Sequence, residues 1–265
     1  MEKSLFISNS EKLKHFTSDY SRLYFGNEFC QHLIPPVDQL RKIINFTIEN
    51  NLKFTLVTPY VTNEYLERVE SSLKVVAEEK KGSEVVFNDW GILHLLNNHY
   101  LELKPVMGRL LNRMTRDPRL MNVIEKLPES SVKYFRKSNL TVPVFRRFLK
   151  KNRISRVEFD NFLQGIDMNL GKMGIEGSLY YPFVYITTTR LCLSNFCDIP
   201  EKEKKVGIFP CGRECLRYTF QLENPIMPVP LIRKGNTIFF RNDQLDERME
   251  EKGINRLVFE PEIIV

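Results

Sequence analysis

Two hydrophobic periods alternate along the chain. Short runs rich in branched and aromatic residues recur at 5–8, 22–26, 54–58, 84–88, 101–104, 157–161, 183–187 and 256–260, each with the length of a strand. Several of the intervals between them carry helical spacing. Residues 36–51 place Val37, Leu40, Ile43, Ile44 and Ile48 on one stripe, and residues 63–79 repeat the signal with Leu66, Val69, Leu73 and Val76. Eight strands alternating with helices predict an α/β fold, a TIM-like (β/α)8 barrel of parallel strands whose functional groups gather at the strands' C-terminal ends. Thr58, Asn88, Asp160 and Thr187 fall at such ends.

The alternation breaks twice, so the barrel is expected to be distorted or incomplete. Residues 107–140 form a basic, partly helical insertion between the fifth and sixth predicted strands, longer than a simple connection requires. Residues 217–242 read as added β-structure, with a hairpin at about 228–242 in which 231–233 and 237–240 pair across Lys234-Gly235-Asn236. No fixed-period repeat or Gly/Ser linker divides the 265 residues, which predicts a single barrel domain over 1–265.

With 42% hydrophobic residues the chain can bury a full core. The opening stretch MEKSLFISNSEKLKHF is charged, and no run approaches the roughly 20 apolar residues of a spanning helix. A cytoplasmic protein without membrane insertion is therefore expected, in a compartment where clustered thiols bind metal more often than they form disulfides. The formal charge of +6 is compatible with RNA or a small anionic substrate as partner and equally with solubility.

Chemistry enters with the cysteines. Cys30 stands alone near the start, while Cys192, Cys197, Cys211 and Cys215 crowd one later stretch. On one helical turn Cys211 and Cys215 would share a face, and Cys30 and Cys192 each follow a predicted strand, at the mouth of the barrel. Four thiolates suit zinc or an iron–sulfur cluster, both of which favour soft anionic sulfur in a near-tetrahedral array. Structural zinc usually takes two short knuckles, and the sequence has one close pair plus a distant thiol, a spacing that favours the cluster, with zinc as the alternative.

The segment Tyr24-Phe25-Gly26-Asn27-Glu28-Phe29-Cys30 resembles the strand and cysteine segment of the collagenase-like peptidase family U32. Thr189-Arg190-Leu191-Cys192, the charged loop 201–205, Cys211-x3-Cys215 and the closing pattern of 230–262 are similar to the rest of that family's layout. The likeness implies a four-iron (4Fe-4S) cluster on Cys30, Cys192, Cys211 and Cys215, with Cys197 competing for the place of Cys192. It further implies oxygen-independent hydroxylation, of a quinone precursor or of nucleotides in RNA, and a heterodimer with a related family member. The basic insertion departs from the best-known members.

Among the other polar residues, Arg109, Arg113, Arg116 and Arg119 recur every three or four positions, as a helical stripe or a solvated face would. Arg109 and Arg190 are candidates to bind an anionic substrate, and Asn88, Asp89 and Asp160 to orient it; Asp89 also has the position of a helix N-cap. A P-loop, HExxH and GxSxG are missing from the sequence, and Tyr218 stands where a radical S-adenosylmethionine motif needs its third cysteine. An iron–sulfur-dependent hydroxylase, or a subunit of one, is the leading expectation. A metal-stapled scaffold that binds RNA or protein is the alternative, and peptidase activity the least supported.

Overall fold

A computed structural model of the protein describes residues 1–197 and 210–264. Eight parallel strands close a barrel: β1 (Glu2–Ile7), β2 (Arg22–Gly26), β3 (Lys53–Val57), β4 (Glu84–Phe87), β5 (Lys104–Met107), β6 (Arg156–Asp160), β7 (Glu176–Tyr181) and, after an excursion, β12 (Ile254–Phe259). The excursion supplies β8 (Phe183–Thr188), β9 (Phe220–Leu222), β10 (Leu231–Lys234) and β11 (Thr237–Arg241), an antiparallel sheet in the order β8-β11-β10-β9. The predicted hairpin is thus β10–β11, outside the barrel.

The helices form where the apolar stripes were read. In α1 (Val37–Glu49) the buried residues are Leu40, Ile43, Ile44 and Thr47, and in α2 (Asn63–Glu79) they include Val69, Leu73 and Val76. Full burial of each such aliphatic side chain contributes roughly 1.5–3 kcal/mol. Ile48 departs from the predicted stripe: it is 51% exposed, and Thr47 takes the inward place in the last turn. Three shorter helices follow, α3 (Trp90–Asn98), α4 (Glu129–Phe135) and α5 (Pro143–Lys151). The barrel interior holds Phe6, Tyr24, Val86, Val106, Tyr180 and Val258, with Tyr24 and Phe6 both edge-on or tilted against Tyr180 at 6.0 and 5.9 Å. No helix among the described residues is long and apolar enough to cross a membrane.

Four further expectations change. The fifth strand is β5 rather than 101–104: Leu101 is 63% exposed, whereas Pro105, Val106 and Met107 are all buried, as a strand covered on both faces requires. The seventh barrel strand is β7, and 183–187 lies instead in the antiparallel sheet. Gly177 and Ser178 give β7 the composition of a turn, but a Cβ on Gly177 would stand 2.7 Å from Leu170 Cδ1, so the glycine serves close packing inside the barrel wall.

The arginine stripe is not helical. Residues 108–117 contain no helix, because Arg116 donates from Nη2 to the carbonyl oxygens of Arg109 (2.7 Å) and Asn112 (3.2 Å), acceptors that a helix would use. Lastly, Cys211 and Cys215 do not share a helical turn. Arg213 between them is left-handed at φ 58°, and a 3-10 turn starts at Glu214.

Candidate functional site

The C-terminal end of the barrel is shaped first by Gly26. Its φ is +141° and a Cβ there would meet the Val57 carbonyl oxygen at 2.0 Å, so only glycine ends β2 this way. Asn27 follows and pins the next turn, its Oδ1 accepting from Phe29 N (3.1 Å) and Cys30 N (2.8 Å). Phe29 is thereby buried against Tyr185 and Phe239, with ring centroids 5.2 and 5.3 Å away, and Cys30 is left half-buried at the start of a 3-10 turn. Asn236, in the β10–β11 turn, donates to the Phe29 carbonyl oxygen and to that of Thr189, both at 2.7 Å. The hairpin therefore joins the Cys30 loop to the chain leading to Cys192.

Cys192 begins a short turn, Leu193–Phe196, held to the hairpin by Ser194 Oγ donating to the Gly235 carbonyl oxygen at 3.0 Å. Cys215 is buried with Phe29, Phe183, Tyr185, Phe239 and Ile263. Cys30, Cys192, Cys211 and Cys215 are free thiols, and each of the first, second and fourth feels others of the set. Burial, then the negative charge of Cys211 and Cys192, pushes the Cys30 thiol up to about 11 against the hydrogen bonds from the backbone of His32 and Leu33. Burial, then Cys30, Cys192 and Cys211, pushes Cys215 up to about 12, with Lys234 opposing. Burial also raises Cys192, aided by Cys211 and Glu214. Cys197 is exposed, and its thiol donates to the Ser194 carbonyl oxygen at 2.8 Å.

These residues could hold a soft metal: one buried and three half-buried thiols whose anionic forms repel one another need a cation before they ionise together. Among the described residues no three His, Cys, Asp or Glu side chains are already drawn into a metal-ligand group. The charged loop 201–205 between the second and third of these thiols lies outside the described residues.

Behind the thiols, charge fills the barrel mouth. Arg109 is fully buried, with Nε 2.7 Å from Glu28, Nη1 3.0 Å from Asp160 and Nη2 2.7 Å from Glu260, while its guanidinium lies 4.1 Å from the Tyr180 ring centroid. Asp160 also receives Arg116 and the backbone N–H of Tyr185. Burial raises Glu28 although Arg109 opposes it, and burial raises Glu260 to about 8 against the same arginine. One oxygen of Glu260 has no hydrogen-bond partner among the described residues.

The predicted substrate residues divide accordingly. Arg109 and Asp160 bind each other. Asn88 is packed beneath Gly108, where a Cβ would stand 2.0 Å from its Oδ1, and its side chain donates to the Thr58 carbonyl oxygen while accepting from Leu110 N. Asp89 caps α3, accepting from Gly91 N at 2.7 Å, and its other oxygen accepts from Val61 N. Arg190 reaches towards Tyr60 and shares a mouth cavity of about 450 Å³ with Asn88 and Tyr185.

A larger cavity, about 710 Å³, opens beside the thiol loops and is lined by Asn27, His32, Arg68, Arg213, Lys234 and Lys12 among others, together with Glu11 and with Glu262, which pairs with Lys12 at 2.6 Å. Sequence reasoning missed Glu28, Glu260 and this cationic lining. Glu28 and Glu260 both follow the C-terminal ends of barrel strands, so the rule that pointed to Asp160 would have found them. Lys234 read as a turn residue, and no local signal marks it.

No family model and no curated protein matches this sequence. Among solved structures, the chain is similar to the U32 peptidase Mk0906, with a TM-score of 0.50 and 11% identity over 99% of this chain and 93% of that one. A class V chitinase from Nicotiana tobaccum (TM-score 0.38, 9% identity, 97% and 92% covered) and a GH18 chitinase from Cycas revoluta (0.32, 12%, 98% and 94%) are more distant in shape. The first similarity gives the chain a U32-peptidase-like fold.

Proposed function

We propose that the protein is an iron–sulfur protein on a U32-peptidase-like barrel, acting in an oxygen-independent hydroxylation or in modification of an RNA or cofactor. The carrying observation is the electrostatic coupling of four thiols brought from distant parts of the chain to one end of the barrel. In this reading Cys30, Cys192, Cys211 and Cys215 hold a 4Fe-4S cluster, and the loops bearing them draw together on binding. Cys192 is preferred to the exposed Cys197 because its charge would repel those of Cys30, Cys211 and Cys215. The cluster would supply electron transfer to an oxygen donor or its activation. Arg213, Lys234 and Arg68 would hold an anionic substrate in the adjoining cavity, and Phe29, Tyr185 and Phe239 would exclude water from the sulfur side. A related chain completes the unit, as in the UbiV-like arrangement that the cysteine pattern resembles.

Anaerobic purification with iron, sulfide and zinc analysis tests this reading. Brown protein with about four irons per chain, lost in Cys30→Ala and Cys192→Ala but kept in Cys197→Ala, is the expected result. Colourless protein with stoichiometric zinc favours the second reading, a metal-stapled binding scaffold, which the engagement of Arg109 and Asp160 in a buried ion-pair network also suits. Modified nucleosides and quinone intermediates, compared in anaerobic cells with and without the gene, separate enzyme from scaffold.

A further inference from the structure

At the opposite end of the barrel the strands' N-terminal residues enclose a cavity of about 760 Å³. Its floor is three arginines, Arg22, Arg156 and Arg256, whose side chains are 7, 7 and 2% exposed. Carboxylates hold each of them: Arg256 forks onto Glu84 at 2.6 and 3.0 Å and reaches Glu2 at 2.7 Å, Arg22 reaches Glu2 at 3.1 Å, and Arg156 binds Glu176.

The rim carries four lysines, Lys53, Lys80, Lys81 and Lys104, from the β2–β3, α2–β4 and β4–β5 sides. Lys53 stands 3.5 Å from Glu2, a carboxylate already shared by two arginines. Lys80, Lys81 and Lys104 form no ion pair with the described residues. Seven cationic side chains thus face three carboxylates across one concave surface. Partial burial moreover lowers the Lys80 pKa, with no opposing anion to raise it.

We propose that this end of the barrel is a binding site for a small anion bearing two or more linked phosphates. The unmatched charges are lysines, compact ammonium groups that bind phosphate as point charges, while the planar guanidiniums are engaged by carboxylates. The lysines come from three separate connections around the arginine floor, so a ligand with more than one phosphate offers oxygens to more than one of them. A concave site of bounded volume suits a discrete ligand better than a polymer, which would track a continuous groove. The site is independent of the cysteines, which lie at the other end of the barrel.

Calorimetric titration with inorganic pyrophosphate, inorganic phosphate and a short single-stranded RNA tests the proposal on the full chain. Expected are saturable binding of one pyrophosphate per chain, weaker binding of phosphate, and a loss of about tenfold or more in the combined Lys80→Gln, Lys81→Gln and Lys104→Gln variant. Cys30→Ala should bind pyrophosphate as the parent does, and a pyrophosphate-induced rise in thermal midpoint, absent from the lysine variant, should accompany binding. Unchanged affinity in the lysine variant overturns the assignment, as does absence of saturable binding. RNA binding that the lysine variant weakens but pyrophosphate does not displace also overturns it, in favour of a nucleic-acid surface.

Discussion

The two ends of the barrel each bury a network of arginines and carboxylates, with opposite charge balance. At the mouth, Arg109 is surrounded by Glu28, Asp160 and Glu260, and with Arg116 the count is two cations to three acids. At the floor, Arg22, Arg156 and Arg256 share Glu2, Glu84 and Glu176 beneath a rim of lysines. The titration directions follow. Burial wins over Arg109 at Glu260, which rises to about 8 and so leans towards its protonated form. At Glu2 the same burial is outweighed by Arg256 and Arg22, and the carboxyl falls to about 2. An acid-rich interior recruits protons, and a cation-rich one recruits anions.

The largest effect should come from Arg109→Met. It leaves three carboxyls buried around an apolar chain and is expected to cost about 3–5 kcal/mol in urea unfolding, because an uncompensated buried charge is worse than the original pair. A loss below 1 kcal/mol would mean that protonation rescues the mouth and that the arginine is not what holds it. Glu84→Gln at the floor should cost less, about 2 kcal/mol, since Arg256 and Arg22 keep Glu2 and are nearer water. If it costs more than Arg109→Met, the contrast between the ends is drawn the wrong way round.

The smallest effects at neutral pH, and the most diagnostic, are those on pH dependence. Between its ordinary value of 4.5 and about 8, Glu260 is protonated in the folded chain and ionised in the unfolded one, so stability falls as pH rises through that window. Glu260→Gln should flatten this slope without removing it, since Glu158, raised by burial to about 7, has the same sign. Glu2 contributes stability above pH 4.5 that is lost as pH falls towards 2, and Glu2→Gln should remove part of that acid limb. Unfolding free energies across the pH range read both. Matching slopes in the two variants would erase the distinction.

Much of this architecture is legible from hydrophobic spacing. The stripes of α1 and α2 and the runs around β1–β4, β6 and β12 identify themselves because their periods match the faces they bury. β7 does not, because Gly177 and Ser178 were selected for tight packing in the wall and so look like a turn. The arginines at 109, 113, 116 and 119 mislead in the opposite sense: their spacing is helical, yet Arg109 is drawn into the barrel by carboxylates contributed 81, 51 and 151 residues away. Local periodicity carries no record of partners so remote. The cysteines lie between these cases, since strand ends locate Cys30, whereas the grouping of Cys192, Cys211 and Cys215 around it depends on a sheet that hydrophobic pattern attributes partly to the barrel.

That sheet is inserted at a single point. The chain leaves the barrel after β7 and re-enters at β12, so residues 182–253 amount to one enlarged crossover, with a sheet in the place usually taken by a helix. Three of the four coupled thiols ride on it and one belongs to the barrel proper. In evolutionary terms this makes the thiol-bearing sheet a separable module: change within one connection can alter or abolish it, while the eight strands and the arginine network at the far end keep all their residues and the mouth network loses only what Phe183 and Tyr185 give it, their backbone acceptors, the Tyr185 N–H on Asp160 and the Tyr185 ring beside Arg116.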